Sequence, residues 1–135
     1  MPPKKSSYED LQENIRKIPL PEIEVFKNKY PDRDYEVKLD VPEFTCICPK
    51  TGLPDFGAVV VRYCPDKVCV ELKSFKLYII GFRNLGIFHE NAVNRILDDF
   101  VKACKPRWAK VEGIVSPRGG IQTTVASEYK KKRKS

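Results

Sequence analysis

Between Asp34 and Val41 apolar and polar residues alternate: Tyr35, Val37, Leu39 and Val41 fall on one face, Glu36, Lys38 and Asp40 on the other. A period of two predicts a half-buried strand. The β-branched run GAVVVRY, Gly57 to Tyr63, predicts a second, more buried strand. The connection between them reads as too long for a tight hairpin, and long connections in compact domains are often functional. CPDK, Cys64 to Lys67, is a turn. From Val70 to Asn84 the period changes. Leu72, Phe75, Ile79 and Phe82 recur at helical spacing, Lys73 and Lys76 share another face, and Gly86 marks the stop. Ile87 to Pro106 predicts a second helix, with Ala92, Val93, Ile96, Leu97, Phe100 and Cys104 as its buried stripe and Pro106 at its end. RWAKVEGIVSP and GGIQTTVA then read as two strands joined at Pro117–Gly120.

The order strand, strand, helix, helix, strand, strand predicts an α+β fold: an antiparallel sheet with both helices on one face. Four strands leave open edges, which favours pairing with further copies into a ring-like homo-oligomer. Residues 1–30, with five prolines counted through Pro31, read as an arm carrying a possible short helix near Tyr8–Ile15. Residues 31–127 read as one domain, and 128–135 as a basic disordered tail.

Composition narrows the class. The chain has 135 residues, 41% of them hydrophobic and 32% charged, as an ordinary globular domain does. No apolar run approaches a membrane span, and the N-terminal residues lack the apolar stretch of an export signal, so a cytoplasmic location and reduced thiols are expected. Lys130, Lys131, Lys132, Arg133 and Lys134 supply most of the net charge of +7. Without a basic stripe through the body, that tail reads as solvated rather than as a nucleic-acid contact. The cysteines are Cys46, Cys48, Cys64, Cys69 and Cys104. Their odd number argues against a disulfide framework, and their C-x-C and C-x4-C spacings do not match a zinc knuckle, so no metal is expected.

The segment CICPKTGLPDF, Cys46 to Phe56, sets Cys48 and Asp55 across a proline-stiffened turn. A thiolate attacks and a carboxyl moves a proton, so the pair can manage a covalent addition, with Lys50 placed to lower the thiol's pKa. Spacing alone fits a surface-loop thiol and a turn acid equally. Glu90, beside His89, is either a first-turn acid complementing the helix dipole or an acceptor of paired N–H donors from a guanine-like ring. Lys73 and Lys76 are either a solvated face or a phosphate grip, and Arg118 in SPRGG a turn residue or a second phosphate contact.

Four blocks in order, EFTCICPKTGLPDF, ELKSFKLY, FRNLGIFHE and SPRGG, resemble the short single-domain form of the 7-cyano-7-deazaguanine reductase family. These are NADPH-dependent nitrile reductases of queuosine biosynthesis. The resemblance runs over residues 32–126, and Glu71–Tyr78 fits the family's characteristic motif at every position. It implies the tunnelling fold, in which neighbouring subunits complete a barrel and active sites lie between them. It implies that Cys48 is the nucleophile forming a thioimide, with Asp55 as proton donor. It places Glu90, His89 and the Val70-Glu71-Leu72 backbone at the substrate, and Lys73, Lys76 and Arg118 at NADPH. No glycine-rich dinucleotide fingerprint is present, so only the resemblance implies this cofactor. Cys46, Cys64 and Cys69 depart from the family pattern, and a disulfide between Cys46 and Cys48 would be strained. Two other readings remain open here. One is the related amidino-transferring branch, which acts on nitrile-bearing tRNA without NADPH but lacks the Glu71–Tyr78 motif. The other is a non-catalytic RNA-binding module using the tail.

Overall fold

The computed structural model describes residues 15–132. Its elements are β1 (Val25–Lys27), β2 (Val37–Ile47), β3 (Pro54–Cys64), β4 (Val68–Val70), α1 (Leu72–Ile80), α2 (His89–Cys104), β5 (Trp108–Val115) and β6 (Thr124–Lys130). The main sheet is antiparallel with order β2-β3-β5-β6, and β1 pairs with β4 in a separate two-stranded sheet. The α+β class, the antiparallel sheet and the two helices stand as expected. No described helix is long and apolar enough to cross a membrane.

The expected long loop is shorter than the sequence suggested. β2 and β3 extend toward each other and leave a turn at residues 48–53. A bulge between Val41 and Phe44 sets the geometry of everything after it. Before the bulge the odd positions Val37, Leu39 and Val41 face the core; after it the even positions Phe44 and Cys46 do. One inserted residue reverses the side that each later side chain faces. On β3 the inward set is Asp55, Val59, Val61 and Tyr63.

All six residues of the expected α2 stripe are buried. They pack on the inner face of the sheet, close enough that a Cβ on Gly113 would lie 2.6 Å from Val93 Cγ2. Phe100 anchors the layer, 4.8 Å from the Tyr63 ring and 5.9 Å from that of Phe75. On α1, Phe75 and Ile79 are buried as expected, as is Phe82 just beyond it, but Leu72 is 66% exposed and Tyr78 takes an inward place instead. The Tyr78 hydroxyl donates to Asp99 at 2.6 Å.

Three expectations are corrected. The segment read as an arm is docked from Ile15 onward: Arg95 donates to the Ile15 and Ile18 carbonyls, Ile23 is buried, and Glu71 N–H bonds Glu24 O. The final strand begins at Thr124, five residues later than the start of GGIQTTVA, because Pro117–Gly120 and Ile121 form a turn closed by paired Arg118–Ile121 backbone bonds. Glu128, Tyr129 and Lys130 therefore belong to β6 rather than to a tail, and Lys131 pairs with Asp66 at 2.6 Å. The Tyr8–Asn14 part of the possible N-terminal helix and residues 133–135 lie outside the described residues, while Ile15–Lys17 forms a single 3-10 turn.

Candidate active site

The β2–β3 turn presents Cys48 at the end of the sheet. Cys48 N–H bonds Leu53 O and Gly52 N–H bonds Cys48 O, each at 2.9 Å, and Gly52 takes a positive φ of 72° that favours glycine. Thr51 Oγ1 accepts from Leu53 N–H, which orients the hydroxyl. The Thr51 hydroxyl, then its backbone amide, then that of Lys50, hydrogen-bond the Cys48 sulfur and lower its pKa below the usual thiol value, and the Arg118 charge adds to this. Donors that bind the charged form favour it. Sequence reasoning credited the ammonium of Lys50; the structure assigns the larger effect to Thr51, with Lys50 acting through its amide. A Thr three residues after a cysteine in a Gly-containing turn was the available signal.

Asp55 is not a turn residue. It lies in β3, directly opposite Cys46, and is 4% exposed. His89, the first residue of α2, brings Nε2 to 3.5 Å from Asp55 Oδ2. Burial lowers the imidazole pKa, so the ring is neutral at neutral pH. Arg118 reaches in from the β5–β6 turn and pairs with Asp55 Oδ1. Two contacts fix α2 relative to the thiol: Ile47 N–H bonds Leu85 O, and Ile87 N–H bonds Ile47 O, both at 2.9 Å. Cys46, fully buried, donates to Ile87 O at 3.6 Å and forms the wall behind Asp55; burial pushes its thiol up to about 11. Glu90 stands beside His89 on the exposed side of the first turn of α2.

The remaining candidates lie elsewhere. A groove of about 1000 Å³ runs between α1 and the edge strand β2, lined by Lys38, Leu39, Val41, Glu71, Leu72, Lys73, Phe75, Lys76 and Arg83 among others. Cys48, Asp55, His89, Glu90 and Arg118 do not line it. Glu71 caps α1, its carboxylate accepting from Lys73 and Ser74 N–H, and those bonds lower its pKa. Val70 is buried in β4, where its N–H bonds the Tyr63 hydroxyl at 2.9 Å. Within one chain, then, the sheet end that carries Cys48, Asp55 and His89 and the charged groove beside α1 are separate features. Arg118 joins the first of them.

An α+β layer carries a turn-borne cysteine of lowered pKa at the end of the sheet where a buried acid meets an imidazole, residue types that nucleophilic chemistry on a small ligand uses. A family model described as QueF-like protein matches residues 54–134. The NADPH-dependent 7-cyano-7-deazaguanine reductase of Elusimicrobium minutum is 53% identical over 113 residues, covering 84% of this chain and 85% of that protein. The protein of the same name from Chlorobaculum tepidum is 59% identical over 111 residues, covering 82% and 95%. Among solved structures, the archaeosine synthase QueF-Like in its apo form superposes with a TM-score of 0.65 at 25% identity, covering 69% of this chain and 91% of that one. The chain belongs to the QueF-like family.

Proposed function

We infer that the protein is a nitrile reductase that converts 7-cyano-7-deazaguanine to 7-aminomethyl-7-deazaguanine in queuosine biosynthesis, consuming two NADPH through a covalent Cys48 thioimide. The carrying observation is a thiol of lowered pKa held at the same end of the sheet as a buried Asp55. The names of relatives 53–59% identical over about four-fifths of the chain support the reaction.

The Cys48 thiolate adds to the nitrile carbon, and Asp55 delivers a proton to the nitrogen as charge develops there. The product is imine-like and a better hydride acceptor than a free nitrile. Proton donation requires Arg118 to move off the Asp55 carboxyl. At 59% exposure on a turn with Gly119 and Gly120 at positive φ, it is able to do so. His89 orients Asp55, and Glu90 accepts the paired N–H donors of the guanine-like edge. Loss of the thiol from the first reduced adduct leaves an imine, whose reduction gives the amine.

The groove offers NADPH a basic side on α1: Lys73, Lys76 and Arg83 lie beside apolar Leu39, Val41 and Phe75, while Asp40 and Glu43 line the β2 side. When bound, NADPH supplies the hydrides. Lys73 and Lys76 would hold its phosphates, and Arg118 would be a further phosphate contact once it leaves Asp55. Because groove and thiol are separate within one chain, the complete site forms between subunits of a homo-oligomer of the tunnelling fold, whose open β2 and β6 edges close a barrel. The free thiols suit a reducing cytoplasm.

The amidino-transferring reading has the archaeosine synthase superposition behind it. At 25% identity that likeness weighs less than the reductase relatives and the Glu71–Tyr78 motif. Mixing protein, 7-cyano-7-deazaguanine and NADPH and following nicotinamide absorbance separates the two. Oxidation is expected for the parent and none for Cys48→Ala. An adduct in the intact mass with no NADPH oxidation by the parent would overturn reduction.

A further inference from the structure

We propose that Cys46, Asp55 and His89 form a binding site for one thiophilic divalent cation, typified by Zn2+, whose occupancy switches the active site off. The binding stands by itself; the inhibition rests on the function proposed above.

The Cys46 sulfur, a carboxylate oxygen of Asp55 and a ring nitrogen of His89 all lie within 4.8 Å of one another. Bonds of about 2.3 Å to sulfur and about 2.0–2.2 Å to nitrogen and oxygen put tetrahedral zinc ligands about 3.3–3.7 Å apart. The cluster therefore needs only small side-chain torsions to close on an ion. Its backbone is fixed: Cys46 and Asp55 are partners across the β2–β3 ladder, and His89 opens α2, which is tied to β2 through Ile47. One sulfur, one nitrogen and one oxygen with a fourth position open is a donor set suited to zinc.

A second observation points to a ligand. His89 Nε2 is sealed from solvent and makes no hydrogen bond, its nearest charged neighbour being Asp55 Oδ2 at 3.5 Å. A buried polar atom left unsatisfied is costly, and a cation between the imidazole and the Asp55 carboxylate would satisfy it. On binding, the Cys46 thiol loses its proton to solvent and a sulfur–metal bond replaces the long contact to Ile87 O. Arg118 is repelled and swings out, so guanidinium and metal exclude each other. With Asp55 and His89 coordinated, no proton reaches the nitrile nitrogen. The spacings hid this site, because residues 46, 55 and 89 form no sequence knuckle.

Titration of the metal-free protein with Co2+, without substrate, tests it. One ion per chain is expected, with a near-ultraviolet thiolate-to-metal band, tetrahedral visible bands, and displacement by Zn2+. Cys46→Ser keeps a hydroxyl for the Ile87 carbonyl and parental basal turnover. It loses the near-ultraviolet band and raises the Zn2+ needed for inhibition by at least about a hundredfold. Cys48→Ala retains the band, and EDTA restores turnover to Zn2+-treated parent. His89→Gln weakens Co2+ binding whether or not Cys46→Ser folds. No near-ultraviolet band in the parent, or a band that survives Cys46→Ser and vanishes in Cys48→Ala, overturns the proposal. Absence of reductase activity alongside a normal Co2+ spectrum would instead sink the function and leave this site standing.

Discussion

At the scale of single residues the decisive feature is a short relay: Leu53 N–H to the Thr51 hydroxyl, and that hydroxyl to the Cys48 sulfur. Because the donors bind the thiolate, the Cys48 pKa is lowered and the reactive fraction at neutral pH is raised. Burial acts oppositely on two core thiols, pushing Cys46 up to about 11 and Cys104 up to about 12. Iodoacetamide near neutral pH should therefore modify Cys48 before Cys46 or Cys104, as peptide masses would show. Removing the hydroxyl in Thr51→Val withdraws the largest stabilising bond, so the midpoint of the alkylation–pH curve should move up and the neutral-pH rate should fall. An unmoved midpoint would assign the activation elsewhere. The turn was legible in sequence as glycine and proline chemistry. The partnership was not, because it depends on which way the Thr51 hydroxyl faces.

At the scale of elements, α2 sets the position of His89 and Glu90, and its seat on the sheet is tight. An added methyl in Gly113→Ala meets Val93 Cγ2 at 2.6 Å, and valine in a helix has one preferred rotamer. Denaturant unfolding should show a loss of about 1–3 kcal/mol, part of which Val93→Ala restores in the double variant. Phe100→Ala, which empties the space between Tyr63 and Phe75, should cost about 3–5 kcal/mol. This helix was fully legible, since a six-residue stripe at 3.6 periodicity needs no tertiary knowledge. β1 and β4 were not: three residues each, they exist only because each is the other's partner across some forty residues of chain. Nor was the face on which Cys46 lies. The alternation from Tyr35 to Val41, continued without interruption, would point Cys46 outward. The bulge at Pro42-Glu43 turns it inward beside Asp55, and a bulge leaves no period of its own.

At the scale of the molecule, the edges β2 and β6, which gain no second strand partner among the described residues, and the division between thiol and groove belong to one question. Leu53 and Phe56 near the Cys48 turn and Leu72 and Leu77 on α1 are exposed apolar side chains that an interface between copies would cover. For the free protein a light-scattering mass at least twice the chain's 15.5 kDa is expected. Assembly alone does not establish shared sites, so complementation is the sharper measurement. Cys48→Ala lacks the nucleophile but keeps both lysines, whereas a Lys73→Ala/Lys76→Ala variant keeps the nucleophile but lacks the phosphate grip. Each should be inactive by itself. If one subunit supplies Cys48 and its neighbour the lysines, equal mixing after dissociation and reassembly leaves about a quarter of sites with both parts intact, since each part is intact in half of the subunits. Turnover should return to about that fraction of the parental rate. If both parts came from the same subunit, every mixed site would still lack one of them, and a mixture as inactive as its components would overturn the shared site.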